Sequence, residues 1–274
     1  YTFIDEKLFF SSELESLVIL VRSAKKVKEE INNNSLIEIL NLTCVVNGKT
    51  IYKDIKRLKP SQILEFDALK KSYKLSYIKR FLPSQKTIKK SEEDIVQDIR
   101  NLLLNAIRKR VDSSLPQSLY LSGGVDSSLI ACMIRELYPK IKINTFTLSY
   151  CGKYVDEGKK NDTQMAEYVS KKIESNHHNI LVDPQDLSQY LNKIIKCYGE
   201  PFTSAPSIWF IAKEIAKISK YSLSGDGADE LFGSYYTHRI SEIKKPKNSD
   251  ECIKIFLEYK FRFCVIIRFG GKVV

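Results

Sequence analysis

From residue 118 onward the sequence alternates between short β-branched or aromatic runs and longer segments of helical period. "SLYL" (118–121) precedes a helical stretch at 127–137. "KINTFTLSY" (142–150) precedes one at 163–173, and "HNILV" (178–182) precedes one at 186–197. A further helix at 207–219 leads into "KYSLS" (220–224). Strands separated by crossover helices pair in parallel, and a parallel sheet must be covered on both faces. The predicted fold class is therefore α/β, a parallel sheet with helices on both faces. Ligands of such sheets bind beyond the carboxyl ends of the strands. The turns that follow strands are thus where chemistry is to be sought.

The first 80 residues read differently. "TFID", "KLFFSS", "LTCVV", "TIYKDI", "QILEFD" and "YKLSYI" are short alternating or β-branched runs separated by Asn and Gly turns. A single helical stretch at 13–21 interrupts them, so this part is expected to be mostly β. "FLPSQKTIKK" (81–90) is polar and holds a proline, as a linker would. Ser91 with Asp94 then opens an amphipathic helix, "EEDIVQDIRNLLLNAIRKRV", in the manner of a capping box. The expected organisation is 1–80, a linker at 81–90, and 91–274.

With 274 residues and 43% hydrophobic content the chain can bury a sizeable core and is not a disordered composition. No apolar run approaches the ~20 residues of a membrane span. "YTFIDEKLFF" has neither the basic nor the apolar region of an export signal. It lacks a starting Met, which fits a chain that begins inside a longer protein. The six cysteines form no CxxC pair and no Cys/His cluster of zinc spacing, which suits reduced thiols and a cytoplasmic location. The net charge is +11, from 44 Lys+Arg against 33 Asp+Glu, but the lysines are spread along the whole chain. They read as solvated faces, with neither a nucleic acid nor a membrane as partner.

The turn after the first of these later strands, "LSGGVDSS" (121–128), carries the strongest chemical signal. Gly123 and Gly124 can take positive φ and let a ligand lie against bare backbone. The N–H groups of the turn and the start of the next helix converge, and with the helix dipole they form an anion site. Ser122, Ser127 and Ser128 add hydroxyl donors for phosphate oxygens. Asp126 is out of place beside phosphates unless Mg2+ bridges it to them. No lysine sits in the turn, so it is not the nucleotide loop that ends in GK[ST]. A second stretch, "YSLSGDGADELFGSYYTHR" (221–239), also follows a strand. Asp226, Asp229 and Glu230 place three carboxylates within five residues, which is unfavourable without cations.

"LSGGVDSS" resembles the pyrophosphate loop of the ATP pyrophosphatase (PP-loop) superfamily. "SGDGADELFGSY" resembles the signature of glutamine-hydrolysing asparagine synthetases, usually SG[ED]G[AS]DELFGGY. "GEPFTSAPSIWFIAKEIAK", "HHN" and "TFTLS" resemble further segments of that family. "KLFFSSELESL" and "TIYKDIKRLKPSQILEFD" resemble the end of its N-terminal, Ntn-type glutaminase domain. The resemblance covers about residues 1 to 240. It implies cofactors ATP and Mg2+, with Leu121, Ser122, Gly123, Gly124, Asp126, Ser127, Ser128, Leu148, Ser224 and Gly225 at the nucleotide. Leu121 and Leu148 would lie on the adenine side. Asp126 and Asp229 would hold metal, and Asp226 would occupy the position of the acid that assists ammonia attack.

The implied reaction is amide formation through an acyl-adenylate: aspartate, ammonia from glutamine, and ATP give asparagine, AMP and pyrophosphate. The acceptor pocket is not readable, so a sugar carboxylate of a surface polysaccharide is an alternative acceptor. A non-catalytic nucleotide-binding remnant is another reading. The family's glutaminase uses an N-terminal cysteine, whereas residue 1 here is Tyr and the first cysteine is Cys44. This chain is expected not to hydrolyse glutamine, and the glutaminase domain of a full-length protein would supply ammonia. Only 35 residues follow Arg239, and "FRFCVIIRFGGKVV" does not resemble the family's continuation, which carries a transition-state lysine. The synthetase part is expected to be incomplete at that end, and a homodimer is left open. Ser234 stands where the signature has its second Gly. His177 and His178, adjacent on a strand, must face opposite ways and cannot share a metal. One is expected to be buried and hydrogen-bonded. Trp209, Tyr235 and Tyr236 are expected to be packing residues.

Overall fold

The computed structural model describes residues 1–24, 30–78, 89–151, 157–183, 185, 187–202 and 204–235. The chain divides into two units, 1–224 and 225–274.

The first unit begins with a hairpin of β1 (Thr2–Ile4) and β2 (Lys7–Phe9), closed by Asp5 and Glu6 at positive φ. Two helices follow, α1 (Leu14–Ser23) and α2 (Asn33–Leu42), and then the hairpin β3 (Gln62–Asp67) with β4 (Ser72–Tyr77). Asp67 Oδ1 accepts the amides of Leu69 and Lys70, both at 3.0 Å, and turns that hairpin. Leu17, Val18 and Val21 of α1 form a small core with Ile4 and Ile55. Phe3 stacks on Tyr73 at 4.5 Å and joins the two hairpins. This part carries more helix than the sequence reading gave it. Asn32 caps α2 by accepting from the amides of Asn34 and Ser35, and the helix takes up residues read as a turn. "LTCVV" and "TIYKDI" form no strand, apart from one bridge between Ile31 and Tyr52. The linker at 81–90 lies mostly outside the described residues.

Ser91 caps α3 (Glu92–Arg108) as expected, its Oγ accepting from the Asp94 amide at 3.1 Å. The alternating pattern then folds as read: β5 (Gln117–Tyr120), α4 (Val125–Leu137), β6 (Ile143–Tyr150), α5 (Glu157–Lys172) and β7 (Asn176–Val182). After these come α6 (Leu187–Tyr198) and α7 (Ala205–Ile215). β5, β6 and β7 pair in parallel in that order. Residues 221–223 return to the other edge of β5. Tyr120 N–H donates to Leu223 O, and Leu223 N–H donates to Ser118 O, both at 2.9 Å. The Leu119–Leu223 bridge is parallel. The spatial order is thus fourth, first, second, third.

The two sheet faces are covered by different helices. Leu119, Leu121 and Ile143 pack with Leu104 and Ile107 of α3, Ala131 and Ile134 of α4, and Ala166 and Val169 of α5 in the main core. Phe146 faces the other way, where it stacks on His178, and α7 covers that side with α6 packed against α7. None of the described helices is long and apolar enough to cross a membrane. In the second unit, α8 (Ala228–Phe232) runs between Gly227 and Gly233, both left-handed.

Candidate functional site

Helices on one face connect β5 to β6 to β7, and helices on the other face bring the chain back to 221–223. The direction of winding therefore reverses between β5 and 221–223. In α/β sheets generally, a switch point of this kind is where ligands bind, beyond the carboxyl ends of the strands. Both signature stretches leave the sheet here, 121–128 after β5 and 224–235 after Leu223. The pair of strands is pinned by side chains as well. Ser222 Oγ donates to Ser118 O at 3.0 Å, and Gln117 Nε2 donates to the Tyr221 hydroxyl at 2.8 Å.

Leu121 anchors the first loop. Its N–H donates to Phe146 O at 2.9 Å, its carbonyl accepts from the Thr147 hydroxyl, and its side chain lies in the core. Ser122 then leaves the sheet. Gly123 has φ +86°, and a Cβ there would stand 2.1 Å from the Asp162 carbonyl oxygen of α5. Only glycine satisfies both demands, so this position is fixed by folding itself. Gly124 departs from the sequence expectation: it has φ −71° and ψ 166°, ordinary extended geometry at the N-cap of α4. A Cβ on it would meet only Ser122 Oγ at 3.3 Å. Its bareness is not demanded by the fold, and it leaves the approach to the α4 amides open.

The three serines differ in setting. Ser127 is buried, and its Oγ accepts from Ser122 N–H at 3.2 Å, lies 3.0 Å from Ser122 Oγ and donates to Gly124 O at 3.3 Å. Gly124 N–H donates in turn to Ser122 Oγ at 3.2 Å. Ser127 thus staples the loop. Ser128 Oγ is buried with no hydrogen-bond partner. Asp126 is half-buried in the first turn of α4, where the helix dipole favours a carboxylate. Gly124 offers no side-chain cap, so the α4 dipole opens onto the loop without a capping group.

Leu148 lies on β6, half-buried, on the same face as Phe146 and Tyr150. That is the face of α7, and the Tyr150 hydroxyl lies 2.7 Å from Ser207 Oγ on that helix. On the opposite face Ser149 Oγ donates to Asn179 Oδ1 at 2.6 Å and lies 3.2 Å from Thr163 Oγ1 of α5. The histidines face opposite ways, as read. His177 Nδ1 lies 2.9 Å from Thr145 Oγ1, while His178 stacks on Phe146 at 4.6 Å. Burial holds the His177 imidazole below its ordinary pKa, Glu167 opposing and His178 adding to the shift. Trp209 packs against Tyr190 at 5.1 Å and Phe210 at 5.2 Å.

Ser224 ends the first unit at the carboxyl end of β5's neighbour. In the second unit, Gly225 O accepts from the Ala228 amide at 3.4 Å, and Asp226 and Glu230 are exposed. Asp229 is half-buried, and its carboxylate accepts from Ser234 Oγ. The serine in place of the usual glycine therefore gives Asp229 a partner. The Tyr235 hydroxyl donates to Glu230 Oε1 at 3.0 Å, and this bond, with the nearby Asp229 and Asp226, raises its pKa. Tyr236 lies outside the described residues. Among the described residues no three His, Cys, Asp or Glu side chains gather as a metal site. Magnesium asks for less, since it is held through one or two carboxylates with phosphates and water completing its shell. Asp126 fits that demand.

The asparagine synthase family model matches residues 98–259, more than half of the chain, and spans both loops. The chain belongs to the asparagine synthase family. It is 30% identical over 85% of its length to a putative glutamine-hydrolysing asparagine synthetase 2 of Methanocaldococcus jannaschii, covering 44% of that protein. It is 25% identical over 90% of its length to glutamine-hydrolysing asparagine synthetase 1 of Bacillus subtilis, covering 37% of it. The chain thus spans less than half the length of these relatives. A solved structure of NMN synthetase from Francisella tularensis is similar over 55% of this chain and 61% of that one, at 15% identity and a TM-score of 0.36.

Two features of this family member were not legible in its sequence. The seat of Gly123 on α5 is made of backbone atoms, which carry no residue signature. The stapling role of Ser127 differs from that of Ser128 only through the direction each hydroxyl takes in the folded turn.

Proposed function

We propose that this chain is the synthetase part of an enzyme that forms an amide on a small carboxylate at the expense of ATP, as asparagine synthetases do with aspartate. The observation that carries the reading is the switch point: both signature loops leave neighbouring parallel strands, and the first is a stapled turn opening onto a helix N-terminus. On this reading residues 1–80 are the end of a glutaminase domain, and 91–274 belong to the synthetase domain.

The α4 amides, Gly124 and the Ser122 and Ser128 hydroxyls hold the β and γ phosphates. The unpartnered Ser128 Oγ supports this role, because a buried hydroxyl is costly to leave unsatisfied. Leu148 borders the base. Asp126 would hold Mg2+, with Asp229 the second candidate ligand, and the ion would neutralise phosphate charge. A carboxylate oxygen of the acceptor attacks the α-phosphorus, the bond from Pα to the bridging oxygen breaks, and pyrophosphate leaves. Ammonia then attacks the acyl carbon, its proton passes to Asp226 or water, and AMP departs with the electron pair of the broken C–O bond.

Titration calorimetry with ATP tests the reading at two Mg2+ concentrations. Asp126→Ala is expected to lose the Mg2+-dependent part of the affinity and keep the rest, because the amide cradle needs no side chain. Gly124→Val is expected to lose binding with and without Mg2+ while staying folded, since its backbone suits any residue. A folded Gly124→Val protein with the parent's ATP affinity would remove the phosphate cradle and the proposal with it.

A further inference from the structure

Glu200 lies on the short corner between α6 and α7 and is 8% exposed. A carboxylate so buried needs partners, and both come from far away in sequence. Its Oε2 accepts the Ile51 amide at 3.1 Å, and its Oε1 accepts from Arg57 Nη2 at 2.7 Å. The residue before it lets the two parts close. A Cβ on Gly199 would stand 2.9 Å from Leu14 and from the Glu15 amide nitrogen at the start of α1. The N-terminal part therefore clamps the 199–200 corner through one ion pair, one amide and one bare backbone contact.

The corner leads directly into α7. Its first turn is set down by Ala205, which is buried, and by Ser207, which meets the Tyr150 hydroxyl at 2.7 Å. Tyr150 and Leu148 alternate on the same face of β6 and share the α7 side of the sheet. The phosphate loop is seated on the other side, against α5. The clamp thus bears on the Leu148 face of the sheet, opposite the face against which the loop is seated.

We propose that Glu200 is a positioning residue for the base side of the nucleotide: held by Ile51 and Arg57, it fixes the start of α7 over Leu148. This rests on the nucleotide reading given above. It adds that the N-terminal part, whatever its own chemistry, sets how well ATP is held.

The test uses the full chain and two probes, ATP and pyrophosphate, each titrated by calorimetry in the same Mg2+ buffer. Glu200→Gln keeps an acceptor for the Ile51 amide and removes the charge facing Arg57. It is expected to bind pyrophosphate as the parent does and ATP about tenfold more weakly, the scale of one charge-assisted hydrogen bond. Arg57→Met should reproduce the effect from the other partner, and Arg57→Lys should restore most of the ATP affinity. Trp209 is the only tryptophan and lies on α7, so its emission reports on the helix directly. A red shift in Glu200→Gln and Arg57→Met, absent from Arg57→Lys, is expected. Unchanged ATP affinity and emission in folded variants would overturn the inference. Failure of the parent itself to bind pyrophosphate would instead overturn the nucleotide reading.

Discussion

The two signature turns solve the same geometric problem in opposite ways. Gly123 and Gly227 both stand at positive φ, +86° and +98°. At Gly123 the α5 backbone lies where a side chain would start, and Ser127 ties the next residues together. Around Gly227 there is nothing within 4 Å of a Cβ, and the five-residue helix after it buries no residue. The first turn is held by the fold, so its shape is present before any ligand. The second is held by its own short-range bonds, Ser234 to Asp229 and Tyr235 to Glu230. A phosphate cradle gains from being preformed. Clustered carboxylates gain from a looser frame, because their mutual repulsion then costs less until a cation arrives.

The contrast can be broken most severely at Gly123. Gly123→Ala adds both backbone strain and a clash with α5, so a loss of about 2–5 kcal/mol is expected in urea unfolding followed by Trp209. A loss below about 1 kcal/mol would mean that α5 gives way and the turn is not held as described. Gly227→Ala meets only the strain of a left-handed alanine, about 1–2 kcal/mol. That strain should stay local, raising amide hydrogen exchange within residues 228–232 about tenfold while the Trp209 transition stays put. Ser127→Ala removes the staple and should lower the Trp209-monitored stability by about 1 kcal/mol. Its pyrophosphate affinity should fall less than that of Ser128→Ala, and the reverse order would exchange the roles of the two serines.

The smallest expected effect concerns pH. The folded-state pKa of His177 lies below its ordinary 6.5, chiefly because of burial. The unfolded chain therefore binds the proton more readily, and stability present above 6.5 is lost as pH falls from there through the folded-state value. Glu167 and the neighbouring His178 are the charged and titratable groups acting on it, and Glu167 is itself paired with Lys171. His177→Gln should flatten the stability profile between about pH 7 and 5. An unchanged slope would assign the acid sensitivity to other groups.

The strands and helices of the sheet were legible because each boundary has a local cause. Ser91 marks the start of α3 by its side chain, and the glycines mark the end of β5. The lateral position of 221–223 was not legible, because which edge a returning strand joins depends on crossover direction rather than on any residue in it. Helix α2 was missed because "NNSLIEILNL" is bounded by residues that also make turns, and only the Asn32 cap distinguishes the two. The two glycines of the first turn look equivalent in sequence. Their difference comes from α5, which passes beside one and not the other.

The return of residues 221–223 to β5 also has a consequence in time. Ser222 and Ser118, joined by a hydrogen bond, are 104 residues apart, while β5, β6 and β7 follow one another closely. During synthesis the three-stranded core can assemble while the chain is still being made. The four-strand arrangement cannot, because residues 221–223 have yet to leave the ribosome. Closing so long a loop is among the slowest steps open to a fold of this kind. A nascent chain stalled before Leu223 would therefore hold a finished turn at 121–128 beside a β5 edge still waiting for its partner.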